Sequence, residues 1–272
     1  MRISKTLLWL SRIDALLVLL VSTFGIFFNS TYARETPSWA IQGMSQDIVN
    51  LIAVVVLLIA TYFLGKGSTK AFLVWLGALV YLLYAYSIYA FDVHYNRLFL
   101  AYVAILGLSF YALVGSMLSL RLTSAQYALR TMPKARLVSV FLGVVALVFY
   151  GQWLGEDIPA LISGKTPPSV LENGLPTNPV HVLDDSFLLP ALVITAILLW
   201  RRQPLGSLLA IPLLLFSLLI SMGILAIFVV SGSKGLPTSL AVELFIAVIS
   251  VASLGLCIVT LRDVTELNGV NT

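Results

Sequence analysis

Residues 201–230 read RRQPLGSLLAIPLLLFSLLISMGILAIFVV. After the paired arginines no charged side chain occurs until Lys234, and the run 206–230 is almost wholly apolar. A helix needs about 20 such residues to cross roughly 30 Å of hydrocarbon. The stretch therefore reads as a membrane span, and Arg201 and Arg202 mark the end where it meets a cation-rich surface.

The same pattern recurs along the chain. Only 10% of the 272 residues are charged, whereas soluble domains carry about 25%. Apolar runs lie near 7–28, 47–65, 71–91, 97–120, 137–155, 183–200, 206–230 and 239–261. They define an all-α, polytopic transmembrane helical bundle of eight spans, with residues 1–272 as a single integral membrane domain. Connections are short except at 29–46 and 156–182. The latter contains SGKTPPSVLENGLPTNP (163–179), rich in helix breakers, and is expected to be an irregular outer loop.

Orientation follows from the sorting of charge. Alternating ends place Arg2, Lys5, Arg12, Lys66, Lys70, Arg121, Arg130, Lys134, Arg136, Arg201, Arg202 and Arg262 on the side of the N-terminus. The opposite side receives only Arg34, Arg97, Lys165 and Lys234. Lys and Arg concentrate on cytoplasmic loops, so both termini are expected in the cytoplasm of a cell with a bacterial-type plasma (inner) membrane. Glu35, Asp47, Asp92, Glu156, Asp157, Glu172, Asp184 and Asp185 all fall on the other side. The formal charge of +4 is thus an orientation signal, and no nucleic-acid partner is expected. The basic segment 121–136 is suited to touch anionic lipid.

Two organisational alternatives stand beside this reading. The first apolar run ends in TYA before Arg34, which resembles a signal peptide cleaved after Ala33 and would leave seven spans. The halves also share a rhythm, since spans one and five precede the long connections and spans two and six run to basic turns. This permits a 4+4 parallel repeat about an axis along the membrane normal.

Several chemistries are excluded. A single cysteine, Cys257, forbids an internal disulfide, a CxxC pair or a cysteine-based metal cluster. There is no GxSxG elbow, phosphate-binding loop or dinucleotide fingerprint, and no HExxH. No cofactor is expected, and metal ligation is left open.

The candidates for function lie at the outer ends of the spans. NPVHVLDDSFLLP (178–190) opens with Asn178 as a helix cap and Pro179 at the first helical position. A helix starting there sets His181, Asp184 and Asp185 at i, i+3 and i+4, on one face. Carboxylates in a first or second turn are also favoured by the helix dipole, so capping alone accounts for them. YAFDVHYN (89–96) supplies Asp92 and His94, with Tyr89, Tyr95 and Asn96. YGQWLGED (150–157) adds Gln152, Trp153, Glu156 and Asp157, and Asp47 opens span two after Gln46. Glu243 stands among apolar neighbours one turn inside span eight, where a lipid-facing carboxylate is costly. Tyr81 and Tyr84 are too deep for an interfacial belt and are expected to hydrogen-bond inside the bundle, while Tyr102, Ser109 and Ser116 form a packing seam with Gly107. Arg12 and Asp14 mark the inner end of span one. Pro190 and Pro212 each remove a backbone donor within a span.

The expected function is transporter- or channel-like. Asp47, Asp92, His94, His181, Asp184, Asp185 and Glu243 would share an outward-facing acidic and histidine-bearing pocket that binds or passes a small polar or cationic species. A non-catalytic subunit or sensor that contacts another membrane protein or a second copy is the alternative. An outward-facing metal-dependent enzyme is the second. The lipid bilayer is the partner common to all.

Overall fold

A computed structural model describes residues 3–119 and 133–265. Among them are eight helices long and apolar enough to cross a membrane. They are α1 (Lys5–Phe27), α2 (Pro37–Gly65), α3 (Thr69–Phe91), α4 (Phe99–Ser119), α5 (Ala135–Ser163), α7 (Pro179–Trp200), α8 (Pro204–Ser233) and α9 (Leu240–Asp263). A short helix, α6 (Pro168–Asn173), lies between α5 and α7. With eight crossings both termini lie at one end of the bundle, here called the terminal end. The other, the distal end, carries the connections 28–36, 92–98, 164–178 and 234–239. Arg2, Arg121, Arg130 and most of the basic segment 121–136 lie outside the described residues.

The helices begin where polar caps replace missing intrahelical acceptors. Ser4, Thr36, Ser68 and Asn178 each accept a backbone N–H from the first turn of α1, α2, α3 and α7. Asn178 accepts from both Val180 and His181, at 3.0 and 3.2 Å, with Pro179 at the first position as its sequence implies.

Two boundaries differ from the sequence reading. Helix α2 starts at Pro37, not near 47, so Asp47 lies well within the helix and does not open it. Helix α5 runs on to Ser163, through Pro159, and closes on Gly164 at φ 66°. The 156–182 connection is consequently not an irregular loop, because it holds the end of α5, all of α6 and the first turn of α7. Both helical extensions are polar enough to fall below a membrane-span reading, which is why only their apolar remainders stand out.

Helices α1 to α4 close into a ring in which each packs on the next and α4 returns to α1. Helix α8 lies against both α2 and α3, α7 joins α8 to α5, and α9 packs on α8. Four helices of the second half therefore form an open chain where the first four form a ring. Gly77 allows the α3–α8 contact, since a Cβ there would stand 2.9 Å from the Pro212 carbonyl oxygen. The Trp75 indole donates to Ser11 at 2.8 Å, and Ser139 to the Ala196 carbonyl at 2.6 Å, pinning α3 to α1 and α5 to α7. Tyr102, Ser109 and Ser116 are all buried, as the seam requires, but Gly107 meets nothing and takes no part in it.

Candidate functional site

Helix α7 is not a plain α-helix. Residues Asp184–Leu188 form a π-turn, with the Leu189 N–H reaching back to the Asp184 carbonyl. Pro190 has no N–H to offer the turn before it, so the ladder is already interrupted at this point. The wide turn carries Asp184 into the bundle, where the residue is 6% exposed. The Tyr84 hydroxyl of α3 donates to its Oδ1 at 2.9 Å, and the Trp153 indole of α5 donates to its Oδ2 at 2.9 Å. Three helices thus meet on one carboxylate. Trp153 also stacks on the His181 ring, with centroids 4.4 Å apart and planes at 30°. The far side of that ring system is held by Asp157, whose Oδ2 lies 3.0 Å from His181 Nδ1.

Asp184 and His181 line a cavity of about 460 Å³ enclosed by α2, α3, α5, α7, α8 and, through Ile246 and Ile249, α9, and roofed by α6. That volume is in the range of small-molecule sites. Its walls are mainly aliphatic and aromatic, including Trp39, Tyr84, Phe149, Trp153 and Phe216. Polar groups enter from Gln42 and Gln46 of α2, from Gln152 and Glu156 of α5, and from Ser217 and Ser221 of α8. The roof is tied down by hydrogen bonds from Gln42 to Asn173 and from the Ser169 N–H to Glu156, at 2.9 and 2.8 Å.

The other five candidates are placed elsewhere. Asp47 is completely buried behind the cavity wall, bonded to Tyr32 and Tyr89, which themselves line the cavity. Asp185 points to a separate cleft, which it shares with Asp157 and the other edge of His181. His94 pairs with Glu35, through its backbone N–H at 2.8 Å and Nδ1 at 2.9 Å, joining two distal connections. Asp92 follows the end of α3, and its partial burial there raises its carboxyl above the ordinary value. Glu243 sits in the first turn of α9, half-buried and away from the cavity lining. The seven residues therefore do not form one cluster. Asp184 and His181 touch the cavity, Asp47 reaches it through tyrosines, and the others do not line it. Among the described residues, no group of three or more His, Cys, Asp or Glu is arranged to hold a metal ion.

Three features escape a reading of the sequence. Asp14 does not mark a helix end: it is fully buried between α1 and α4, with Ser109 donating to Oδ2 at 2.7 Å and Oδ1 without a partner. Tyr32, from the connection after α1, folds back to bond Asp47. Trp153 and Tyr84 converge on Asp184 from positions 31 and 100 residues away. Asp14 left a signal as a carboxylate among apolar neighbours, and Tyr84 one in its depth, which is borne out by its bond to Asp184, but no local pattern names the partners.

Comparison with family models, curated proteins and solved structures gave no match to this chain.

Proposed function

We propose that this membrane protein binds a small organic cation in the cavity lined by Asp184 and His181, as a transporter- or channel-type protein would. Asp184 carries this reading. It is buried within a membrane-spanning helix, and both of its oxygens accept from neutral donors. Each such bond to a charged acceptor is worth about 1.5–3 kcal/mol, against a desolvation cost of several kcal/mol for a buried ion. A bound cation supplies the missing charge. The indole and phenol rings around Asp184 add cation–π attraction of about 0.5–2 kcal/mol each. The aliphatic remainder of the wall suits an organic cation better than a hydrated metal ion.

The excess of Lys and Arg at the terminal end supports an orientation with both termini in the cytoplasm and the roofed, acidic end outward. In that frame α6 lies over the external side of the site.

Equilibrium dialysis of the purified protein with tetraphenylphosphonium tests the reading. Saturable binding is expected, weakened at least about tenfold, or 1.4 kcal/mol, by Asp184→Asn in a protein that still elutes as a single species. Equal binding by the variant, or equal binding of tetraphenylborate, overturns the proposal.

A further inference from the structure

Asp47 poses a hydrogen-counting problem. Tyr32 donates to its Oδ2. On the other side Tyr89 Oη lies 3.0 Å from Asp47 Oδ1 and 2.9 Å from the Gly43 carbonyl oxygen. A phenol has one hydrogen. Facing an ionised Asp47, Tyr89 would have two acceptors and one hydrogen to divide between them. A hydrogen on Oδ1 resolves the conflict: Asp47 donates to Tyr89, Tyr89 to Gly43, and Tyr32 to Oδ2.

The surroundings agree with a neutral group. Asp47 has no exposed surface, and its side-chain partners, Tyr32, Tyr89, Ser22 and Asn50, are all neutral. The titratable side chains around it are Tyr32 from the α1–α2 connection, Tyr81, Tyr86 and Tyr89 of α3, and Tyr102 of α4. On the remaining neighbours, α1 bears Asp14, itself within reach of Tyr86, α6 brings Glu172 to the cavity, and α8 has no ionisable side chain. An uncompensated carboxylate in such a place costs several kcal/mol. Yet Tyr32, Gly43 and Tyr89 also line the cavity, so the residues that hold Asp47 are part of its wall.

We propose that Asp47 carries an exchangeable proton, and that a cation entering the cavity drives this proton out through Tyr89. The inference rests on the cation-binding reading above. In the exchange Tyr89 Oη turns its hydrogen from the Gly43 carbonyl to cavity water and releases it there, while the Asp47 O–H bond breaks and that hydrogen becomes the new phenol hydrogen on Tyr89. The net charge of the site is unchanged, because ionised Asp184 stands beside neutral Asp47 before the exchange and the cation is shared between two carboxylates after it. One positive charge replaces another, and no electrons are transferred.

Infrared difference spectroscopy and proton release read the two parts separately. Asp47→Asn is the central variant, because an amide keeps both the donor toward Tyr89 and the acceptor toward Tyr32. Wild-type protein at neutral pH is expected to show a carboxylic-acid C=O stretch that Asp47→Asn lacks and Asp184→Asn retains. Saturating tetraphenylphosphonium should remove that band and release a proton for each cation bound, whereas Asp47→Asn binds the probe and releases none. A wild-type spectrum without the band, or a band and a pH that do not move at saturation, overturns the exchange while leaving cation binding intact. Failure of wild-type protein to bind the probe, with the band present, instead overturns the cation-binding reading and the exchange with it.

Discussion

Gly25 measures how little room surrounds the buried carboxylate. A Cβ built on it would overlap Asp47 Oδ2 and stand 2.9 Å from the Tyr32 hydroxyl. Neither can retreat without giving up the bond between them. Overpacking of this kind costs about 1–3 kcal/mol, so Gly25→Ala should lower the thermal midpoint in detergent and disturb the Asp47 infrared band. Gly107→Ala supplies the contrast, because nothing lies within 4 Å of its added methyl. At that helical position the change should be neutral or stabilising by roughly 0.4–1 kcal/mol. Equal midpoints for the two variants would refute the tight packing assigned to Gly25. At this scale the sequence is partly legible. Asp184 and His181 are recognisable as one helix face with a cap before it, but Tyr84 and Trp153 carry no local mark of the carboxylate they share. Their pairing is created by packing between α3, α5 and α7.

The π-turn opens at the two acids of α7 and sets the rotation of the helix beyond them. Successive residues of a helix stand about 100° apart, so Asp184 and Asp185 leave α7 on opposite sides of the direction of His181. In the structure Asp184 turns to the cavity and Asp185 to the cleft beside Asp157. Beyond the turn, Leu189, Leu192, Thr195, Ala196 and Leu199 are buried against the bundle. Removing one residue from the turn would rotate that half by about 100° relative to Asp184. Deletion of Ser186 should therefore yield protein that aggregates or, if folded, no longer binds tetraphenylphosphonium. Phe187→Ala, at a residue 70% exposed, should elute and bind as wild type. A deletion variant with unchanged binding would show that the wide turn does not set the position of Asp184. The helix ends most easily missed are instructive for the same reason. The starts and ends of α2 and α5 bear Ser38, Gln42, Gln46, Gln152 and Glu156, which line the cavity. The side chains that build the site are those that dilute the hydropathy by which a span is recognised.

At the scale of the molecule, eight spans, their order and their short turns are readable because hydrocarbon leaves the backbone few alternatives. The contact map is not readable in this way, since lipid-facing and protein-facing apolar residues are chemically alike. Hence the closed ring of α1–α4 and the open chain of α5, α7, α8 and α9 emerge only in three dimensions. The cavity lies where the open chain meets the ring, with α8 of the chain packed against α2 and α3 of the ring. The proposed direction of this arrangement rests on charge sorting. At the terminal end Lys66 lies 4.2 Å from the centre of the Tyr62 ring and Arg136 5.7 Å from that of Trp200, aromatic–cation pairs suited to a headgroup layer. His94, Glu35, Lys165 and α6 belong to the distal end. Cysteines introduced singly on a Cys257→Ala background can read the direction in intact cells. Lys165→Cys and His94→Cys should react with a membrane-impermeant maleimide added outside. Lys66→Cys and Arg201→Cys should react only after the membrane is opened. The reverse pattern would put the roof of the cavity in the cytoplasm, and a cation would then enter from within the cell.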